Sequence, residues 1–488
     1  MNRIEEKRLE ERDQKDNQIW RKWGPYLSER QWGTVREDYS KEGAAWSYFP
    51  HDHARSRVYR WGEDGIAGIS DRRQNLCFSL GLWNGNDDIL KERLYGLTGE
   101  DGNHGEDVKE LYYYLDNTPS HSYMKYLYKY PHAKFPYERL LRESQKRTKN
   151  KREYELIDTG IFEENKYFDV FIEYAKKSPE EICIKITVKN RANNPAKLVL
   201  VPNLWFRNLW DFGVVDEIPT ISKLDINHED YGGVKASHNK AGDYFLYFDK
   251  PEEYLFTNNK TNSERIFNTQ NKDVYVKDLF HKAIIQDDDL TVFDGVNSGT
   301  KFAPYYKREV AAKGEVVFKL LLTNKEEENP FIDNFETVFQ ERLQEANEFY
   351  NYFIPDSASP DMANIQRQAF AGMLWSKQYY NFDVQQWLDG DKGHPAPPEL
   401  RQNGRNSNWR HLHNEDILSM PDKWEYPWYA AWDTAFHCVP LAMIDPDFAK
   451  NQLITLTREW YMHPNGQIPA YEWAFSDVNP PVHAWAAL

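Results

Sequence analysis

A chain of 488 residues exceeds one comfortable hydrophobic core and is expected to divide into two or three domains, which excludes a mini-protein held together by staples. With 61 basic against 77 acidic residues the formal charge is −16, so a nucleic-acid backbone or an anionic membrane surface would be repelled, and neither is expected as a partner. Cys77, Cys183 and Cys438 show no metal or redox spacing, and neither an apolar leader nor an apolar run of about 18 residues occurs, so a cytoplasmic protein with core cysteines is expected.

Residues 1–45 read as an N-terminal extension: a charged helix over 2–23, ending before Gly24-Pro25, then a loop, both peripheral to the main body of the chain. Residues 46–328 read as an antiparallel β-sandwich with long loops. LCFSLGLW (76–83), YFDVFIEYAKK (167–177), EICIKITVKNR (181–191), KLVLVPNLWF (197–206), DYFLYF (243–248) and EVVFKLLLTN (315–324) are rich in β-branched and aromatic residues, and turns such as KKSPEE separate them at hairpin distances. The period then changes. Phe335, Phe339, Leu343, Ala346, Tyr350 and Phe353 recur at helical steps, giving a linker helix within 329–360 that Pro355 stops. In 361–488 a second helix carries Met362, Ile365, Ala369 and Met373 on one face, a long loop covers 389–409, and a third helix runs from Thr434 to Ile444. Asp445-Pro446 supplies a cap and a first-turn proline for a fourth over 447–462, and so short a turn makes the third and fourth antiparallel neighbours. A sandwich followed by helical hairpins suggests an α-hairpin toroid docked on a β-domain.

Aromatic residues make up 15% of the chain, with 17 tryptophans, and flat rings with a polar edge suit the C–H faces of sugars as well as a sandwich core. They concentrate in KWEYPWYAAWDTAFH (423–437) and, after the helical return, in GQIPAYEWAFSDVNPPVHAW (466–485), which is expected beside it. The first stretch holds Asp433 among Tyr429, Trp432 and Phe436; the second adds Glu472, Trp473, Asp477 and Asn479. A ring-lined pocket with a few carboxylates meets the demands of glycoside hydrolysis, where one protonated acid serves the leaving oxygen and a base or nucleophile stands opposite. Desolvation by the rings would raise the Asp433 pKa and keep it protonated; the alternative for Asp433 is a helix N-cap. Tyr429, Trp432, Phe436 and Trp473 are expected to shape the sugar site, and Glu472, Asp477 and Asn479 to hold hydroxyls. His51, His53, His104 and Asp107 give H-x-H without a companion at ligand spacing, so no metal is expected, and a two-carboxylate mechanism needs no cofactor. Arg55, Arg57, Arg60 and Glu63 are expected to form an ion-paired network holding a loop against the helical domain. No G-x-S-x-G elbow occurs.

WDTAFH at 432–437 resembles the W-D-x-x-F-H signature of glycoside hydrolase family 63, the processing α-glucosidase group that includes mannosyl-oligosaccharide glucosidase. FPHDHARSRVYRWGEDGIAG, LGLWNGND, LKERLYGL, GNHGEDVKE, LDNTPSHSYMKYLYKYP and YEWAFSDVNPPVHAW are similar to its bacterial branch. The resemblance implies a β-sandwich followed by an (α/α)6 barrel, an inverting α-glycosidase acting on glucosyl or mannosyl linkages of small oligosaccharides or glycosides, and Asp433 as general acid. The sequence departs from that pattern at its end. The 128 residues after Pro360 suffice for about two hairpins of six, so the barrel is expected to be incomplete. The family's base, a glutamate late in the barrel, finds no matching position and is expected beyond Leu488. Two alternatives accompany this reading: a sugar-binding fragment without turnover, and an inverting glycoside phosphorylase in which phosphate replaces the base.

Overall fold

The computed structural model describes residues 3–14, 18–31, 49–98, 101–102, 107–331, 334–392, 396–404, 406–421, 423, 429–468, 470 and 479–488. Two antiparallel sheets face each other. The first runs in the order Trp23–Gly24, Ile66–Asp71, Leu76–Trp83, Ala196–Phe206, Lys301–Val310, Glu253–Thr257. The second runs Ser298–Gly299, Thr220–Lys223, Tyr231–His238, Gly242–Asp249, Glu315–Thr323, Glu181–Asn190, Tyr167–Ser178, Tyr123–Pro131, Tyr112–Asn117. Alternation explains the second sheet well: in EICIKITVKN the residues Ile182, Ile184, Ile186 and Val188 are all buried, and Ile186 stands opposite Ile172 in the neighbouring strand. Their partners across the sandwich come from the first sheet, where Phe78, Leu80, Leu200, Leu204 and Phe302 join the same core. The strand Ala196–Phe206 does not alternate because its other face is covered too, by Phe280 and Phe293 packed on Val199 and Val201.

The N-terminal part differs from the peripheral helix expected of it. Among the described residues an α-helix covers Ile4–Glu10 and a 3-10 turn Ile19–Lys22, and Trp23 is fully buried in the sandwich core, its strand paired with Ser70 and Asp71. Side-chain size accounts for the difference: one tryptophan buried between sheets outweighs the helical pattern of a charged segment.

Helix α1, Phe335–Asn351, lies on the second sheet. Helix α2, Pro360–Trp375, is capped by Ser359, whose Oγ accepts from Met362 N at 3.2 Å. Its buried face is not the expected one. Met362 and Ile365 are exposed, while Phe370, Ala371, Leu374 and Trp375 are buried, because Trp375 inserts into the sandwich core, stacks on Tyr114 at 5.6 Å and donates from Nε1 to Asp116 O at 2.9 Å. An unexpected pair of strands follows, Lys377–Asp383 with His413–Ser419. Helices α3, Ala431–Ile444, and α4, Pro446–Leu456, fold back on each other at Asp445, whose Oδ1 accepts from Phe448 N at 3.2 Å. A short helix α5, Val482–Ala487, packs on α3. All three cysteines are buried thiols. Among the described residues no helix is long and apolar enough to cross a membrane.

Candidate active site

The first turn of α3 carries Asp433, and the position matters for its chemistry. Ala430 occupies the N-cap, so Asp433 lies three residues inside the helix and does not take the capping role that sequence left open. The carboxylate is half-buried and has no ion-pair partner among the described residues. Burial raises its pKa above the ordinary carboxylate value, opposed only by its own backbone amide.

What holds this end of the helix in place comes from three directions. Ala431 N donates to Ala470 O at 3.0 Å, which brings the chain after the α4 return against the start of α3. Lys423 is buried and donates from Nζ to both Pro25 O and Leu27 O at 2.6 Å, while Ser28 Oγ donates to Lys423 O at 3.0 Å, so the N-terminal segment anchors the chain that leads into the site. Beneath, Tyr429 lies between Tyr380 at 5.2 Å and Tyr461 at 5.8 Å, in a cluster with Trp61, Trp387 and Trp409. Tyr429 is only 2% exposed, so its ring supports the site from behind and offers no face for a sugar.

The open rings are others. Trp432 and Phe436 meet edge to face at 6.1 Å, and Phe436 meets Trp485 of α5 at 6.0 Å. Phe436 is 46% and Trp485 56% exposed, so this group presents an aromatic surface beside Asp433 on the same helix. Trp485 was not singled out from sequence; its signal was its place in the second aromatic stretch. His437 follows Asp433 by one helical turn, its Nδ1 3.0 Å from Ser419 Oγ, and burial holds its pKa below the ordinary value, leaving it neutral near pH 7. Asn479 donates from Nδ2 to Ile468 O at 3.2 Å and so pins the return segment, a structural use of an amide expected to bind hydroxyls. Glu472, Trp473 and Asp477, with 424–428, lie outside the described residues.

The N-terminal clusters do other work. His51 stacks on Tyr137 at 5.8 Å, His104 and the Asp107 side chain lie outside the described residues, and no group of three or more His, Cys, Asp or Glu converges among the described residues. The expected arginine network is dispersed: Arg55 pairs with Asp52 at 2.6 Å, Arg60 with Asp391 at 3.1 Å, and Glu63 accepts from Asn259 Nδ2 at 2.8 Å. Arg60 thereby reaches the part of the chain that follows α2.

No family model matches the chain. It is similar to the uncharacterized protein YMR196W of Saccharomyces cerevisiae, 47% identical over 525 aligned positions that take in 99% of this chain and 48% of the yeast protein. The chain therefore spans about half the length of that relative. A solved chain from the human microbiome that bears the name kojibiose phosphorylase aligns with 88% of this chain and 50% of its own, at 10% identity and a TM-score of 0.27. At that score the likeness carries no argument about fold or chemistry.

Proposed function

We propose that the chain is part of an inverting α-glycoside hydrolase of the family 63 kind, acting on glucosyl or mannosyl linkages, with Asp433 as general acid. One observation supports this above the others: a half-buried carboxyl group, unpaired among the described residues and raised in pKa, on a helix that also carries half-buried Trp432 and exposed Phe436. A protonated acid donates to the glycosidic oxygen as the C–O bond breaks, and a water enters the opposite face of the sugar, losing its proton to a second carboxylate about 6.5–9.5 Å away. The rings stack on the sugar's C–H face, and neutral His437 beneath Asp433 adds no positive charge that would lower its pKa. The motif WDTAFH carries the family assignment, and the base is assigned to a part of the longer polypeptide that this chain does not cover.

The test compares the 488-residue chain with a polypeptide of the yeast relative's length on a panel of α-glycosides, with and without phosphate. Cleavage by the longer form alone, giving the inverted anomer without phosphate, is expected. Phosphate-dependent release of a glycosyl phosphate would replace hydrolysis by phosphorolysis. Equal turnover by both forms would place the base on Glu472 or Asp477. Asp433→Asn in the active form is expected to lower kcat on unactivated glycosides by about a hundredfold or more, and retained turnover would refute the acid assignment.

A further inference from the structure

Away from Asp433, the N-terminal segment and the turn at 72–73 face the flank of α4 across a cavity of about 440 Å³. That volume is the size of a small-molecule pocket. Its described lining includes Arg21, Arg72, Arg73, Lys377 and Arg458, against Glu415 and Asp416, and none of residues 429–437.

Partner by partner, the positive charge is not used up. Arg21 and Lys377 share one carboxylate, Asp445, with Lys377 Nζ at 3.1 Å from Oδ2. Arg73 pairs with Glu415, and Asp416 accepts from Tyr461 Oη at 3.1 Å. Arg72 donates only to backbone, to Arg21 O at 3.2 Å and to Gln18 O, and no carboxylate among the described residues pairs with it. Arg458 has no ion-pair partner among the described residues either. Five cations thus line one cleft beside two carboxylates, Glu415 and Asp416, with buried Asp445 behind Arg21 and Lys377, in a chain whose net charge is −16. Two guanidiniums without a carboxylate partner among the described residues, Arg72 on the sandwich side and Arg458 just past α4, line this one cavity, and guanidinium groups are suited to bidentate hold of an oxyanion. The geometry points to a binding site for a phosphate dianion, free or carried on a small metabolite, held between Arg72 and Arg458. Phe448 and Ile454 line the same cavity and provide an apolar wall for the body of a phosphomonoester. Because Asp433 is not part of it, the bound phosphate is an effector that ties the N-terminal segment to the α3–α4 hairpin, and it is not a reactant.

Calorimetric titration of the 488-residue chain with inorganic phosphate and with glucose 6-phosphate, at constant ionic strength balanced by chloride, tests the site. Saturable binding of one equivalent and a higher thermal midpoint are expected. Arg458→Ala, at an exposed position, and Arg72→Ala should each weaken binding by about tenfold or more, since hydrogen bonds to charged groups are among the stronger ones. Glu415→Gln, which releases Arg73, should tighten it. Tighter binding of glucose 6-phosphate supports a metabolite ligand, and equal affinity supports free phosphate. No saturable binding of either, or affinities unmoved by both arginine substitutions in variants that melt like the parent, would overturn the proposal. Asp433→Asn is expected to bind phosphate as the parent does, so failure here is separate from failure of the glycosidase reading.

Discussion

Two aspartates twelve residues apart show how placement divides chemistry from stability. Asp445 is 1% exposed, caps α4 and is the shared carboxylate of Arg21 and Lys377. Asp445→Ala would leave two buried cations without their counter-ion and is expected to destabilise the fold by about 3–5 kcal/mol, read from denaturant unfolding; Asp445→Asn, which keeps the cap, should cost less. Asp433 behaves oppositely. Its folded pKa is raised by burial, so the native state holds the proton more tightly than the unfolded chain does, and the stability this contributes is lost as pH rises through the folded pKa. At neutral pH the charge is a burden on the fold, so Asp433→Asn is expected to melt at the same temperature as the parent or above it while losing activity. For the active form, kcat/KM should fall on the alkaline side as Asp433 loses its proton, with that limb displaced upward from the ordinary carboxylate range; an unchanged limb in the Asn variant would assign it to another group.

Helix α2 shows the limit of periodicity as a guide to burial. Its sequence holds two candidate apolar faces, and Met362 with Ile365 makes as good a stripe as Phe370 with Leu374. The deciding contact is Trp375, which fits only by entering the sandwich core against Tyr114. Accordingly Trp375→Ala is expected to cost about 3–5 kcal/mol, whereas Met362→Gln or Ile365→Gln should change stability by about 0.5 kcal/mol or less; urea midpoints of the three variants check the orientation. The α3–α4 hairpin is easier to foresee, because Asp445-Pro446 states both the cap and the first-turn proline locally. The strands Lys377–Asp383 and His413–Ser419 are hidden for the opposite reason: they pair across about thirty residues, and the partner of each lies outside any local window.

At the scale of the whole molecule, two lysines join the N-terminal layers to the rest through buried ammonium groups. Lys277 donates to Arg57 O at 2.7 Å and Lys423 to Pro25 O and Leu27 O, and burial brings each pKa down to about 8. Above that value the folded protein releases protons that the unfolded chain still holds up to its ordinary lysine pKa. The unfolded state then binds more protons, so stability should rise between about pH 8 and 10, by at most about 1.4 kcal/mol per pH unit for each lysine. Higher still, buried Tyr59, Tyr126 and Tyr128, whose pKa values are raised, reverse the trend. Denaturant midpoints at pH 7.5, 8.5 and 9.5 should climb, and Lys423→Met should flatten the climb.

Sequence alone determined the antiparallel strands with their alternating core positions, the helical hairpin with its cap, and Asp433 amid aromatic residues. Each of these rests on neighbours within a few residues, where period, turn chemistry and capping act. Tertiary structure decided which rings remain open: Tyr429 is enclosed by Tyr380 and Tyr461, whereas Phe436 and Trp485 meet at the surface from segments far apart in the chain. It likewise decided that Arg72 and Arg458 face one cleft. Burial and charge balance are sums over residues distant in sequence, so no local pattern encodes them.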